Sequence, residues 1–372
     1  MEWVAAAEVE AAFPDASGIA MARREITFTL PELEPRTLAL RCADDAFLLV
    51  GELPPVGSTK ADLPGFARDV AHLDWHAAAE AVGAVRGEEP STFDCVVSIE
   101  GKHSYNRYAV EDAVGDALCS VLGLRFLSRS PAATAFPDQP DMTVRLFLRG
   151  TRAIATFRIG RRPLHRRGYK VATGPGTLHP PLAAALAAIA GAGGLVVHDP
   201  FCGDGTLAIE TALSWPTSQV TAGDIDPERV TNTHANATRA GVDIVATVAD
   251  AGDLRKLGTG LDLLLTNPPW DVAVGSHGQL RASLRRFWSD AATVLRGSGR
   301  VCTVTDAALE VPDVLQELGF AVGLTTRLRL AGRVAHVSIA AAPDGTAPQL
   351  PSRLTLWRHR AISKGVITEH GF

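Results

Sequence analysis

The sequence predicts an α/β chain: a C-terminal doubly wound, mostly parallel sheet with an antiparallel edge hairpin, preceded by small α+β units. Three observations predict it. From Leu195 onward, five apolar runs (LVVHDP, VTAGDID, VDIVATVAD, LDLLLTNPP and GRVCTVTD) each end in acids or small polar residues, with helix-like stretches between them. Strand alternating with helix in this way builds a parallel sheet. The last two runs, VGLTTRLRL and VAHVSIAAA, are joined by Ala-Gly-Arg alone, too short for a crossover, so they form an antiparallel hairpin at the sheet edge. Before residue 160 the apolar runs are short and broken by turn residues, the pattern of small α+β units. A length of 372 residues favours two or three domains, and 46% hydrophobic with 21% charged residues excludes a wholly disordered chain.

Taken in order, residues 1–85 open with a helix (WVAAAEVEAAF) followed by β-rich runs at EITFTL, TLALRC and AFLLVGEL. Residues 86–160 form a second unit: a strand at FDCVVSIEG, an amphipathic helix at VEDAVGDALCSVLGL, then strands at MTVRLFLRG and AIATFRIG whose faces alternate. Residues 161–194 are a basic linker and an Ala-rich helix. No charge occurs from Val171 to His198, but Pro180, Pro181, Gly191, Gly193 and Gly194 interrupt the stretch, so it reads as a buried helix and not a membrane span. The sheet domain occupies 195–342, with helices at LAIETALSW, ERVTNTHANATRAG, LRASLRRFWSDAATVLRG and EVPDVLQELG. The tail, 343–372, carries Pro and Gly and then bases (Arg353, Arg358, Arg360, Lys364), and is expected to pack loosely.

Charge divides unevenly. Residues 1–141 hold 23 acids and 11 bases, residues 142–198 hold 9 bases and no acid, and residues 199–372 hold 18 acids and 16 bases, which together give −5. Global attraction to nucleic acid is not expected, but the middle stretch is a local phosphate-binding candidate. Within it RRPLHRRGYK places Arg161, Arg162, Arg166, Arg167 and Lys170 beside a tyrosine, and Arg forks with a stackable ring suit RNA phosphates and bases. The five cysteines are far apart and show no CxxC spacing, so they read as free thiols with no metal site. The acidic N-terminus, MEWVAAAEVE, is no secretory signal, and a cytoplasmic protein is expected.

The first strand of the sheet runs into Asp199-Pro-Phe201-Cys202-Gly203-Asp204-Gly205-Thr206. Gly203 and Gly205 let the backbone turn tightly under a ligand, and Thr206 opens the next helix. The second strand ends in Gly-Asp224-Ile225-Asp226, where a carboxylate can bind a ribose diol, and the third in Asp250-Ala251, placed to meet an adenine amino group. The glycine spacing is compatible with a dinucleotide. However, Asp199 puts an acid ahead of the loop, which suits an ammonium- or sulfonium-bearing ligand better than a pyrophosphate. S-adenosylmethionine has both cations and no phosphate, so the loop favours methyl transfer.

The fourth strand ends in Asn267-Pro268-Pro269-Trp270. Two prolines fix the backbone and remove N–H donors, leaving their carbonyls and the Asn side chain as a rigid acceptor set. Such a set holds a planar exocyclic amine, and Trp270 can stack on the ring that bears it. Rate enhancement would then come from alignment and electrostatics.

With DPFCGDGTLAIE, NPPW, LHRRGYK and LHPPLAAAL assembled, the chain resembles the THUMP-containing class I RNA methyltransferases, especially those that make N2-methylguanosine in tRNA. The likeness runs from about Phe93 to Ala341, and by layout alone to the N-terminal part. It implies a ferredoxin-like unit over 1–85, a THUMP-like RNA-binding unit over 86–160, and a Rossmann-like class I methyltransferase domain over 195–342, whose family ends its sheet in the same antiparallel hairpin. It further implies S-adenosylmethionine as cofactor, RNA (tRNA) as partner, and no metal. Asp199, Phe201, Gly203 and Gly205 would form the methionine-side loop, with Cys202, Asp204 and Thr206 between and beside them. Asp224 would hold the ribose, with Ile225 beside it and Asp226 as fallback. Asp250 and Ala251 would meet the adenine, and Asn267 to Trp270 the base. The chain departs from the family at Trp270, where Tyr or Phe is usual, and at Asp271-Val-Ala-Val, where Gly and a charged residue are usual. Guanine-N2 or adenine-N6 methylation of rRNA offers the same motif an exocyclic amine. An N5-glutamine protein methyltransferase would leave the Arg-rich stretch unexplained, and a non-enzymatic RNA-binding protein with a vestigial cofactor fold would leave the intact Asp199, Gly203, Gly205 and Asn267 unexplained.

Overall fold

The computed structural model describes residues 1–87, 89–131, 140–150, 152–270 and 284–372. It divides the chain into two units, Met1–Leu30 with His165–Phe372, and Pro31–Leu164. The boundaries expected at 85 and 160 therefore fall differently. The first 30 residues join the C-terminal unit: α1 (Glu2–Ala12) buries Trp3, Val4, Ala5, Ala6, Ala7 and Val9, an all-round apolar helix that needs covering, and β1 (Ser17–Ala22) and β2 (Glu25–Thr29) form an antiparallel hairpin.

The Pro31–Leu164 unit contains β3 (Phe47–Leu53), α2 (Leu63–Ala71), α3 (Trp75–Arg86), β4 (Thr92–Ile99), α4 (Arg107–Leu122), β5 (Arg125–Phe126), β6 (Met142–Arg149) and β7 (Arg152–Arg158). The strand order is β3-β7-β6-β4-β5; β4 runs parallel to both β5 and β6. Along β6 the period-2 pattern sends Val144, Leu146 and Leu148 into a core shared with Phe66, Trp75, Val82, Val110 and Leu118 of the three helices. The expected division at 85 falls inside α3, which starts on the Asp74 cap (Ala77 N–H to Oδ1, 3.1 Å) and stops at left-handed Gly87. TLALRC, expected to be β-rich, is instead a 3₁₀ turn over Pro35–Ala39: Pro35 opens it, and the Thr37 hydroxyl donates to the Glu34 carbonyl at 2.6 Å.

The remaining elements belong to the other unit: α5 (Pro180–Ala190), β8 (Val196–Asp199), α6 (Thr206–Ser214), β9 (Gln219–Asp224), α7 (Pro227–Ala240), β10 (Val245–Val248), β11 (Leu261–Thr266), α8 (Leu284–Val294), β12 (Leu295–Asp306), α9 (Val311–Glu317), β13 (Ala321–Leu330), β14 (Arg333–Ala341) and α10 (Ser352–Ser363). Their sheet has the order β10-β9-β8-β11-β12-β14-β13, parallel except for β14, which lies antiparallel to β12 and β13. This is the Rossmann-like, mostly parallel sheet with the antiparallel hairpin at one edge. The Ala-rich stretch is the buried helix α5, and no helix among the described residues is long and apolar enough to cross a membrane. The tail is not loosely packed. Helix α10 buries Leu354, Trp357 and Ala361, packs on α1, and donates Trp357 Nε1–H to Glu10 at 3.0 Å. Its buried positions are masked in sequence by the bases between them.

Candidate active site

Strand order reverses around β8, with β9 on one side and β11 on the other, so the carboxyl ends of these strands open the crevice where doubly wound sheets bind ligands. The register sets Val197 beside Leu263 and His198 beside Leu264, which brings the end of β8 at Asp199 alongside the last residues of β11 before Asn267.

The loop after β8 is held from below. Cys202 N–H donates to the Gly223 carbonyl (3.0 Å), and Gly203 N–H to Asp224 Oδ2 (2.9 Å). Gly205 sits at φ +81°, where a Cβ would meet the Thr233 side chain at 2.8 Å, so a side chain is excluded twice over. Gly203, at φ +53°, faces open space. Three side chains of this loop turn inward. The Phe201 ring packs on Phe287 (centroids 5.0 Å apart), Cys202 Sγ lies against Thr233, and Asp204 is consumed by the protein. Its carboxylate accepts from Gly174 N–H, Thr177 Oγ1, Arg229 and Asn232 Nδ2 at 2.6–3.0 Å. These side chains are thus engaged within the protein, and the loop leaves its backbone at Gly203 and Gly205 and the carboxyl of Asp199 as the groups a ligand could meet.

Asp199 is fully buried, and burial pushes its pKa up to about 7, with the negative charge of Asp224 adding to the rise. Between its ordinary value of 3.8 and about 7, the native state holds a proton that the unfolded chain has released, so this group lowers stability as pH rises through that window. Asp199→Asn should remove the effect. Urea denaturation should show the variant gaining on the wild type from pH 4 to pH 7, and parallel stability curves would refute the assignment. A cation placed on Asp199 opposes the shift, so ligand binding should release a proton.

At the end of β9, Asp224 is half-buried and already orients the loop: besides Gly203, it accepts the Asp226 N–H at 3.0 Å. Asp226 is exposed and caps α7 through Glu228 N–H (2.9 Å), which explains its place in sequence without a ligand. Ile225 between them is 41% exposed. Asp250 caps the 3₁₀ helix Ala251–Leu257 through Gly252 N–H at 2.8 Å, and Ala251 is buried. Past β11, Asn267 Oδ1 is a buried acceptor with no donor among the described residues, and Trp270 Nε1 is a buried donor with no acceptor among them. Asp271 lies outside the described residues.

The basic cluster separates. Arg161 and Arg162 are exposed at the end of the Pro31–Leu164 unit, and Arg166 is exposed at the start of the other. Arg167 is not a surface charge. Its Nε donates to Glu210 Oε1 at 2.9 Å, the two side chains are 9% and 0% exposed, and Tyr169 OH donates to the same oxygen at 2.7 Å. Lys170 is half-buried, with Nζ 3.4 Å from the Thr206 hydroxyl. Arg167 is therefore corrected from an RNA contact to part of a strap, residues 167–177, which also carries Lys170, climbs α6 from Glu210 to Thr206 and continues onto α7. There Asn236 accepts from Val171 and Ala172 N–H and donates to the Ala172 and Asp204 carbonyls, at 2.8–3.1 Å. Sequence reading missed this anchorage, though a signal existed: Arg229, Asn232, Thr233 and Asn236 recur at i, i+3, i+4, i+7, a polar stripe on one helix face.

Residues 167–332 match the family model described as UPF0020: RMKL-like, methyltransferase domain. That match starts at the strap and spans the crevice. Over 209 residues, 55% of this chain, the sequence is 35% identical to the tRNA (guanine(6)-N2)-methyltransferase of Thermus thermophilus, covering 59% of that protein. A tRNA (guanine(10)-N2)-dimethyltransferase of Methanothermobacter thermautotrophicus is 31% identical over 146 residues, 38% of this chain and 43% of that one. The matched regions thus span about half the length of these curated relatives. Among solved structures, TrmN from Thermus thermophilus superposes with a TM-score of 0.69 and 28% identity, over 92% of this chain and 96% of that one. A Listeria monocytogenes protein described as a predicted N6-adenine-specific DNA methylase shares the fold at a TM-score of 0.58 and 17% identity, over 84% of this chain and 85% of that one.

Proposed function

We propose that the chain transfers a methyl group from S-adenosylmethionine to the exocyclic N2 of a guanosine in tRNA. The observation that carries this reading is Asn267 Oδ1, buried beside two prolines at the carboxyl end of β11 and without a donor among the described residues. A buried acceptor left unmet costs about 1–3 kcal/mol, which a planar amine in the crevice would recover. The names of the two curated relatives support guanine N2, and the strand-end acids support the cofactor.

The residues present fit that cofactor. Gly203 faces open space and the loop around it is braced by Asp224, so a ligand can lie against bare backbone. Asp199 would meet the ammonium, Asp224 the ribose hydroxyls, Ile225 a face of the adenine, and Asp250 with Ala251 its edge. When bound, the cofactor supplies an electrophilic methyl group on its sulfonium. Asn267 Oδ1 and the proline carbonyls accept the N–H groups of the incoming amine and turn its lone pair toward that methyl. Trp270 stacks on the base. With the amine so held by Asn267 and the prolines, its proton would be lost to water, and alignment would replace a strong base.

The Pro31–Leu164 unit, whose residues 86–160 carry the THUMP-like resemblance, is the proposed RNA-binding module. Replacing Arg161, Arg162 and Arg166 together by Gln should flatten the slope of log affinity against log salt by roughly two to three. An unchanged slope would remove these residues from the RNA interface. The activity itself is tested with labelled methyl transfer to unmodified tRNA, read by nucleoside mass spectrometry. N2-methylguanosine supports the reading, N6-methyladenosine alone would move the substrate to adenine, and no transfer would refute it.

A further inference from the structure

Lys170 occupies an unusual electrostatic position. It sits where the strap passes the loop that carries Gly203 and Gly205, and burial holds its ammonium below the usual lysine range. Its contact is the Thr206 hydroxyl at 3.4 Å, a long bond for a group with three donors. The acids near it, Asp204 and Glu210, are engaged elsewhere: Asp204 pairs with Arg229 at 2.9 Å, and Glu210 with Arg167 at 2.9 Å. No carboxylate oxygen among the described residues lies within ion-pair distance of Lys170 Nζ. A half-buried cation without a counter-charge is costly unless a ligand supplies one. The charge that fits is a compact anion reached over the Thr206 end of the loop.

We propose that Lys170 binds the carboxylate of the methyl donor's amino-acid moiety, and that it takes no part in gripping RNA phosphate. This rests on the cofactor reading above. Asp199 then takes the ammonium and Lys170 the carboxylate, so two opposite charges of the protein address the two ends of one zwitterion. Ligands that keep the adenosine and sulfonium but lack the carboxylate are rejected through Lys170.

The test compares S-adenosylmethionine with decarboxylated S-adenosylmethionine by calorimetry. The wild-type chain should prefer the carboxylated donor by roughly 10–100-fold, the scale of a hydrogen bond to a charged group. Lys170→Met should erase the preference by weakening the carboxylated donor alone, and Lys170→Arg should restore part of it. The salt slope of RNA binding should be unchanged in both variants. A preference that survives Lys170→Met overturns the proposal, as does a wild type without preference or a slope that falls by about one unit in Lys170→Met. Should Lys170→Met fail to fold, the wild-type comparison and Lys170→Arg still decide. If the wild type binds neither compound, the cofactor reading itself fails, a result distinct from equal binding of the two.

Discussion

Asn267→Ala should lose methyl transfer by roughly 10²–10³-fold or more while the protein stays as stable as the wild type, or becomes more so. The two halves of this expectation have one cause. Asn267 Oδ1 is buried without a donor among the described residues, so removing it costs none of the hydrogen bonds made among them. Its value appears only when an amine is held. Single-turnover transfer of a labelled methyl group to unmodified tRNA measures the first half, and a thermal melt measures the second. Trp270→Ala should also slow turnover, through loss of base stacking worth about 1–3 kcal/mol, and Trp270→Phe should recover much of it. Undiminished transfer in Asn267→Ala would sink the mechanism. A large drop in melting temperature would mean that Asn267 serves the fold.

Glu210→Ala is expected to destabilise the unit formed by residues 1–30 and 165–372 by roughly 3–5 kcal/mol, because it strands the Arg167 guanidinium in a buried site. Both Arg167 and Tyr169 donate to Glu210 Oε1, so one substitution removes two bonds and leaves a charge unmatched. The paired replacement Arg167→Met with Glu210→Leu should restore most of the loss, since it removes both charges and keeps the volume. Urea denaturation at neutral pH reads both. A loss below about 1 kcal/mol, the range of an exposed ion pair, would mean that the pair is solvated.

The contrast between these residues explains what could be read in the sequence. The sheet was legible because β8, β11 and β12 are mostly buried runs and β8, β9 and β12 end in acids, and run and ending are both local. The position of Asn267 to Trp270 directly after β11 was legible too, since two adjacent prolines end a strand. What was not legible depends on side-chain direction and on distant partners. Arg167 and Arg166 are neighbours in a basic run, yet one meets Glu210, 43 residues away, and the other meets solvent. Asp204 stands between two glycines of the loop like a ligand residue, and only Arg229, Asn232 and the turn at Gly174 show that the protein has claimed it. The first 30 residues were assigned to the wrong body because α1 finds its partner in α10, some 350 residues on, and no window of sequence contains both.

Asn236 has a consequence for how the strap is built. A side-chain amide is chemically one peptide group, and this one uses both of its donors and both of its acceptor positions on the Val171–Ala172 backbone and the Asp204 carbonyl. It does for Ala172 what the opposite residue of a β-ladder would do, taking its N–H and meeting its carbonyl, while standing on a helix. The strap is therefore paired as a strand is paired, but by a neighbour one residue long. Aspartate at this position would offer oxygens where the Ala172 and Asp204 carbonyls need hydrogens, and leucine would offer nothing. Deamidation of Asn236 would thus convert a satisfied contact into a repulsive one and unfasten the strap with no change in any strand.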